Sequence, residues 1–118
     1  MLTSFDGLSI YLACGSTDMR KSIDGLAALV NCRFDLDPFS NNAFVFCNKG
    51  RDKLKILYWD HNGFWLFYRR LERGRFRWPA RSEELTLTVS RRQLQWLLDG
   101  LSIDQHRAHR PVAARIIV

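Results

Sequence analysis

The sequence predicts an α+β fold: a single domain on an antiparallel β-meander of about four to six strands with two main helices. Three observations carry that expectation. Turn signals follow one another closely through the middle of the chain, at NKGRD, HNG and ERG. The segments between them are short and rich in aromatic and β-branched residues. On either side of this block lies a stretch with apolar residues at helical spacing.

Taken in order, LSIYLAC (8–14) reads as a short strand, with Ile10, Leu12 and Cys14 on one side and Tyr11 and Ala13 on the other. Gly15 ends it. Thr17 or Asp18 is expected to cap the first helix, since a short side-chain oxygen accepts a free backbone N–H there. Met19, Ile23, Leu26 and Leu29 or Val30 then give one apolar face. Gly25 costs such a helix about 1 kcal/mol relative to Ala, which points to a close neighbour. DLDPFSNN (35–42) is turn-rich and closes the unit.

The meander follows. Strands are expected at 43–47, 53–59 and 64–71, with a fourth at 76–78 before Pro79. Asn62-Gly63 is the strongest turn, because that pair takes positive φ readily. A further strand over 85–89 leads to Ser90, which caps a helix reaching Gly100. The domain is expected to span residues 1–100 and a C-terminal tail residues 101–118.

The chain has 118 residues, enough for one ordinary core. It is 47% apolar, which excludes a disordered polar chain. Its apolar runs are too short to span a bilayer, so no membrane partner is expected. The N-terminus lacks a basic stretch before its apolar residues, and a cytoplasmic location is expected. Cys14, Cys32 and Cys47 form no CxxC pair and are read as reduced thiols filling space.

The net charge of +6 is concentrated. From Lys49 to Arg81 there are ten basic residues against three acidic ones, a surplus of seven, while the remainder is close to neutral. Such a field draws polyanions. Within KILYWDHNGFWLFYRRLERGRF (55–76), strand alternation places large apolar groups on both faces near the Asn-Gly turn and basic groups on both faces farther away. Two readings follow: a two-sided core with a solvated arginine rim, or a basic sheet surface where Trp65, Tyr68 or Trp78 meets nucleic acid. Arginine in place of lysine favours phosphate, because its planar fork pairs with oxygens bidentately.

Catalytic patterns are missing. There is no Ser-His-Asp spacing, Gly-rich phosphate loop or HExxH. His106 and His109 have the spacing of one helix face without a third ligand, and Asp18 and Asp24 would point to different sides of a helix. The chain is read as non-catalytic, with no cofactor and no metal.

The blocks TDMRKSIDGL, KILYWDHNGFWLFYRRLERGRF and LTVSRRQLQWLLDG, in this order and spacing, resemble the small accessory protein of the sixty-six-type bacterial insertion sequences. That protein is the product of the second open reading frame, often called TnpB. The likeness runs from about Ile10 to Gly100. It implies a role in transposition beside a separate, larger transposase, and it brings no catalytic residues. The matching positions most open to function are Asp18, Met19, Arg20, Lys21, Arg69, Arg70, Arg73, Arg75 and Trp78. The site expected from residues and resemblance together is Arg69, Arg70, Arg73, Arg75 and Arg77 on phosphates, Arg20 and Lys21 adding contacts, and Trp78 beside them. DNA is the expected partner. The alternative is a module that binds the transposase through apolar residues near Trp59, Trp65 and Phe67, or through the tail, without touching DNA. Self-association is possible through the same face.

Overall fold

A computed structural model describes residues 8–80 and 83–104. The elements run β1 (Ile10–Ala13), α1 (Ile23–Cys32), β2 (Ala43–Cys47), β3 (Lys53–Asp60), β4 (Gly63–Arg70), β5 (Thr86–Val89) and α2 (Arg91–Leu98). The strands form one sheet in the order β4-β3-β2-β1-β5. The α+β class holds, with a difference in the sheet. β2, β3 and β4 are an antiparallel meander, and β5 is antiparallel to β1, but β1 and β2 are parallel. The cause is α1, which carries the chain back to the end of the sheet where β1 began, so β2 must run the same way.

Helices cover both faces. On one, Leu26 and Val30 of α1 pack with Ala13, Phe44, Phe46 and Leu57. On the other, Leu94 and Leu97 of α2 pack with Ile10, Leu12, Val45, Ile56 and Val89. β2 lies under both layers and every residue of AFVFC is buried. This is why its sequence is a continuous apolar run without alternation.

The first helix starts later than Asp18. Asp18 sits in a turn, where its Oδ1 accepts from the backbone N–H of Arg20 at 2.9 Å. The short side chain bonds its local backbone and leaves Ser22 as the N-cap, without a side-chain cap bond. What crowds Gly25 is the Lys21 side chain, 3.3 Å from where a Cβ would stand. The second helix begins as expected: Ser90 Oγ accepts from the Gln93 N–H, and the Ser90 N–H donates to Gln93 Oε1, a capping box.

The expected fourth strand at 76–78 is not a strand. This segment lies across the α2 side of the sheet with Phe76 and Trp78 in the core. It is pinned by Phe76 N–H to the Arg51 carbonyl (2.7 Å) and by Gly15 N–H to the Pro79 carbonyl (3.1 Å). At the β3–β4 turn the left-handed residue is His61 (φ 58°), not Asn62 or Gly63. His106 and His109, the apolar end of the tail, and Arg81 lie outside the described residues.

Candidate nucleic-acid interface

The β3–β4 hairpin is polarised along its length. Near its turn, Tyr58 is registered with Trp65 and Trp59 with Phe64; at its open end, Lys53 is registered with Arg70, Leu54 with Arg69 and Lys55 with Tyr68. Opposed residues share a face, so Arg69 leaves on the α2 side and Arg70 on the α1 side. The same register separates Lys53 and Lys55, toward α1, from buried Leu54, Ile56 and Tyr58.

Two backbone bonds hold the chain beside this basic end. Leu71 N–H donates to the Asp52 carbonyl (2.8 Å), and Phe76 N–H donates to that of Arg51. They set the strap 71–80 against the β2–β3 turn. In the strap, buried Phe76 and Trp78 alternate with exposed Arg75 and Arg77, so inward packing of the rings throws both guanidinium groups outward. The result is an open cleft of about 940 Å³ lined by Lys49, Arg51, Arg75 and Arg77 and also by Ser102, Ile103 and the acidic Asp104.

The turn is rigidly built. Asn48 Oδ1 accepts from the N–H groups of Asp52 and Lys53, each at 3.0 Å, while its Nδ2 donates to Asp52 Oδ1 at 2.7 Å. Arg51 is held in the left-handed region (φ 63°). The Asn48 bond lowers the Asp52 carboxyl below its ordinary range, helped by the charges of Lys53 and Arg75.

A second, shallower hollow of about 670 Å³ opens on the α1 side between Arg20, Lys53, Lys55 and Tyr68. Lys55 Nζ donates to the carbonyls of Met19 and Lys21, both at 2.8 Å, and fixes the loop that carries Arg20. It also stands 5.8 Å from the centroid of the half-exposed Tyr68 ring.

The arginines differ in how far they are engaged. Arg20 pairs with Asp18 at 2.7 Å and Arg70 with Glu72 at 2.9 Å, both exposed. The Arg20 bonds hold the Asp18 carboxyl at about 2. Among the described residues, Lys49, Arg51, Arg69, Arg73, Arg75 and Arg77 form no ion pair. Arg73 is exposed at the bend after β4, and Lys21 is exposed before α1.

Trp78 requires a correction. The residue is 5% exposed, and its Nε1 donates to the Ala13 carbonyl at 2.8 Å. Burial of so large a ring outweighs any surface use, so it supports the cleft from beneath and offers no face to a base. Lys49 and Arg51 line the cleft but are not among the expected site residues, because the sequence marks them only as a hairpin tip. The signal that includes them is the charge surplus beginning at Lys49.

Among the described residues, no group of three His, Cys, Asp or Glu side chains could hold a metal ion, and no helix is long and apolar enough to cross a membrane.

Fold and site together define a small α+β domain with the basic residues of its middle segment gathered at one end of a mixed sheet. The family described as IS66 Orf2 like protein matches residues 8–108, and the chain belongs to that family. Membership implies an accessory role in transposition. The chain is 39% identical to y4hO of Sinorhizobium fredii strain NGR234 over 101 residues, covering 86% of this chain and 87% of the relative. It is 36% identical to y4jC of the same strain over 95 residues, covering 80% of each. Both relatives are described only as uncharacterized proteins. No solved structure matches the chain.

Proposed function

We propose that the protein is a non-catalytic accessory factor of DNA transposition that acts in the cytoplasm by holding the DNA backbone at the basic end of its sheet. The observation that carries this reading is the cleft in which Lys49, Arg51, Arg75 and Arg77 converge, none of them in an ion pair among the described residues. Arg69 and Arg73 extend the positive surface from the end of β4, and Arg20, Lys21 and Arg70 continue it onto the α1 side. Contacts of this kind position a protein on DNA without reading its sequence. With about five phosphates engaged, log K should fall against log salt with a slope near −4 to −5 on duplex DNA. Gel shifts on the terminal repeats of the element and on unrelated duplex, at two salt concentrations, test it. A flat salt response removes the reading.

A second reading, contact with the transposase, is favoured by the opposite end of the hairpin. There Phe39 is 55% exposed, with its ring centroid 4.9 Å from that of Trp59 and 5.3 Å from that of Phe64. Exposed aromatic clusters of this kind anchor protein interfaces. Co-purification with the transposase that survives nuclease treatment would favour this reading, and its loss on nuclease treatment would favour DNA.

A further inference from the structure

The two edges of the sheet are unequal. β5 is four residues long, and a short edge offers little to a neighbour. β4 is eight residues long and pairs with β3 without a bulge from Gly63 to Arg70. It contains no proline. Natural edges of this length are usually blunted by a proline, a bulge or a covering segment. Here the strap 71–80 turns to the α2 side of the sheet, and no strand among the described residues pairs with the outer side of β4.

The residues along this edge are self-complementary. The two-residue turn makes Asp60 and Gly63 a bonded pair, so Trp65, Phe67 and Arg69 point their backbone groups toward β3. Phe64, Leu66, Tyr68 and Arg70 therefore point theirs outward. Placed antiparallel about a two-fold axis at Phe67, two β4 strands bring Phe64 opposite Arg70 and Leu66 opposite Tyr68. These are the residues whose backbone groups point away from β3, so the ladder closes. On the other face Trp65 stands opposite Arg69. The basic half of each strand meets the aromatic half of the other, which separates like charges and sets a guanidinium beside the half-exposed indole of Trp65.

We propose that β4 is the interface for a second copy of this chain, joined edge to edge in that register as a continuous ten-stranded sheet. The two basic ends then face opposite directions, and the dimer holds two DNA segments apart. This last consequence rests on the DNA reading; dimerisation does not.

Sedimentation velocity of the full chain over low to high micromolar concentration, without DNA, is the test. The expected result is a dimer that Tyr68→Pro abolishes, because proline removes an outward N–H and no bond to β3. Trp65→Arg should also abolish it by setting arginine opposite Arg69. The exchange Trp65→Arg with Arg69→Trp should restore it, which a merely apolar contact would not do. Far-UV circular dichroism checks that each variant folds. A chain that stays monomeric throughout overturns the proposal. So does a dimer indifferent to Trp65→Arg, or one not restored by the exchange, whatever Tyr68→Pro does. Loss of DNA binding with dimerisation intact would sink the DNA reading alone.

Discussion

Arg69 and Arg70 are neighbours in sequence but leave the sheet on opposite faces, Arg69 registered with Leu54 and Arg70 with Lys53. No single flat surface therefore collects the whole basic segment. The positive charge wraps around one end of the sheet, and only part of it is unengaged.

That division predicts unequal effects on DNA binding. Replacing both Arg75 and Arg77 with alanine should weaken binding broadly and reduce the magnitude of the salt slope by about two. Arg70→Ala should do less, because Glu72 already answers its charge. Fluorescence anisotropy across a salt series measures both. Equal effects from the two replacements would show that the cleft is not the principal contact.

Trp78 should behave as a structural residue. Trp78→Phe removes the indole N–H that bonds the Ala13 carbonyl and should cost about 1 kcal/mol. Trp78→Ala adds a cavity, for about 3–5 kcal/mol in all. Urea unfolding measures both. A Trp78→Phe protein of unchanged stability that lost DNA affinity would return this ring to the binding surface.

Asp18 supplies a pH test of the Arg20 loop. Its folded carboxyl titrates at about 2, below the ordinary 3.8, chiefly through the side-chain bond with Arg20. A depressed carboxyl contributes stability that is present above its ordinary value and is lost as pH falls through the folded one. The window is thus the acid range between about 4 and about 2. Both partners are exposed, so screening keeps the contribution small. In an NMR titration, Arg20→Ala should raise the Asp18 midpoint toward 3.8. An unmoved midpoint would mean that the pair does not form in solution.

The three thiols should separate by reactivity. Cys47 is fully buried in β2, and burial pushes its thiol up to about 12. Cys14 is also raised, by burial and then by Glu84. Cys32 is exposed at the end of α1. Alkylation of the native protein near neutral pH should label Cys32 first, and Cys47 only after unfolding. Mass spectrometry of the labelled peptides shows the order.

Much of the fold was legible along the chain. Alternation in β3 placed Leu54, Ile56 and Tyr58 on one face and Lys53, Lys55, Leu57 and Trp59 on the other, as the structure has them. Ser90 marked α2. Asp18 misled because its short side chain suits a turn as well as a helix cap. Phe76 to Trp78 misled because an extended strap laid flat on a sheet alternates just as a strand does. Lys49 and Arg51 were visible as charge but not as site.

The sequence by itself determined the α+β class, the family, the hairpin with its aromatic and basic halves, and the excess of positive charge. These follow from short-range periodicity and composition, which need no knowledge of what lies across the core. Only the tertiary structure decided that β1 and β2 run parallel, that Trp78 is buried under the cleft, and that Lys49 and Arg51 stand beside Arg75 and Arg77. Each depends on which distant segments share a layer, and that choice is made by burying two apolar faces at once.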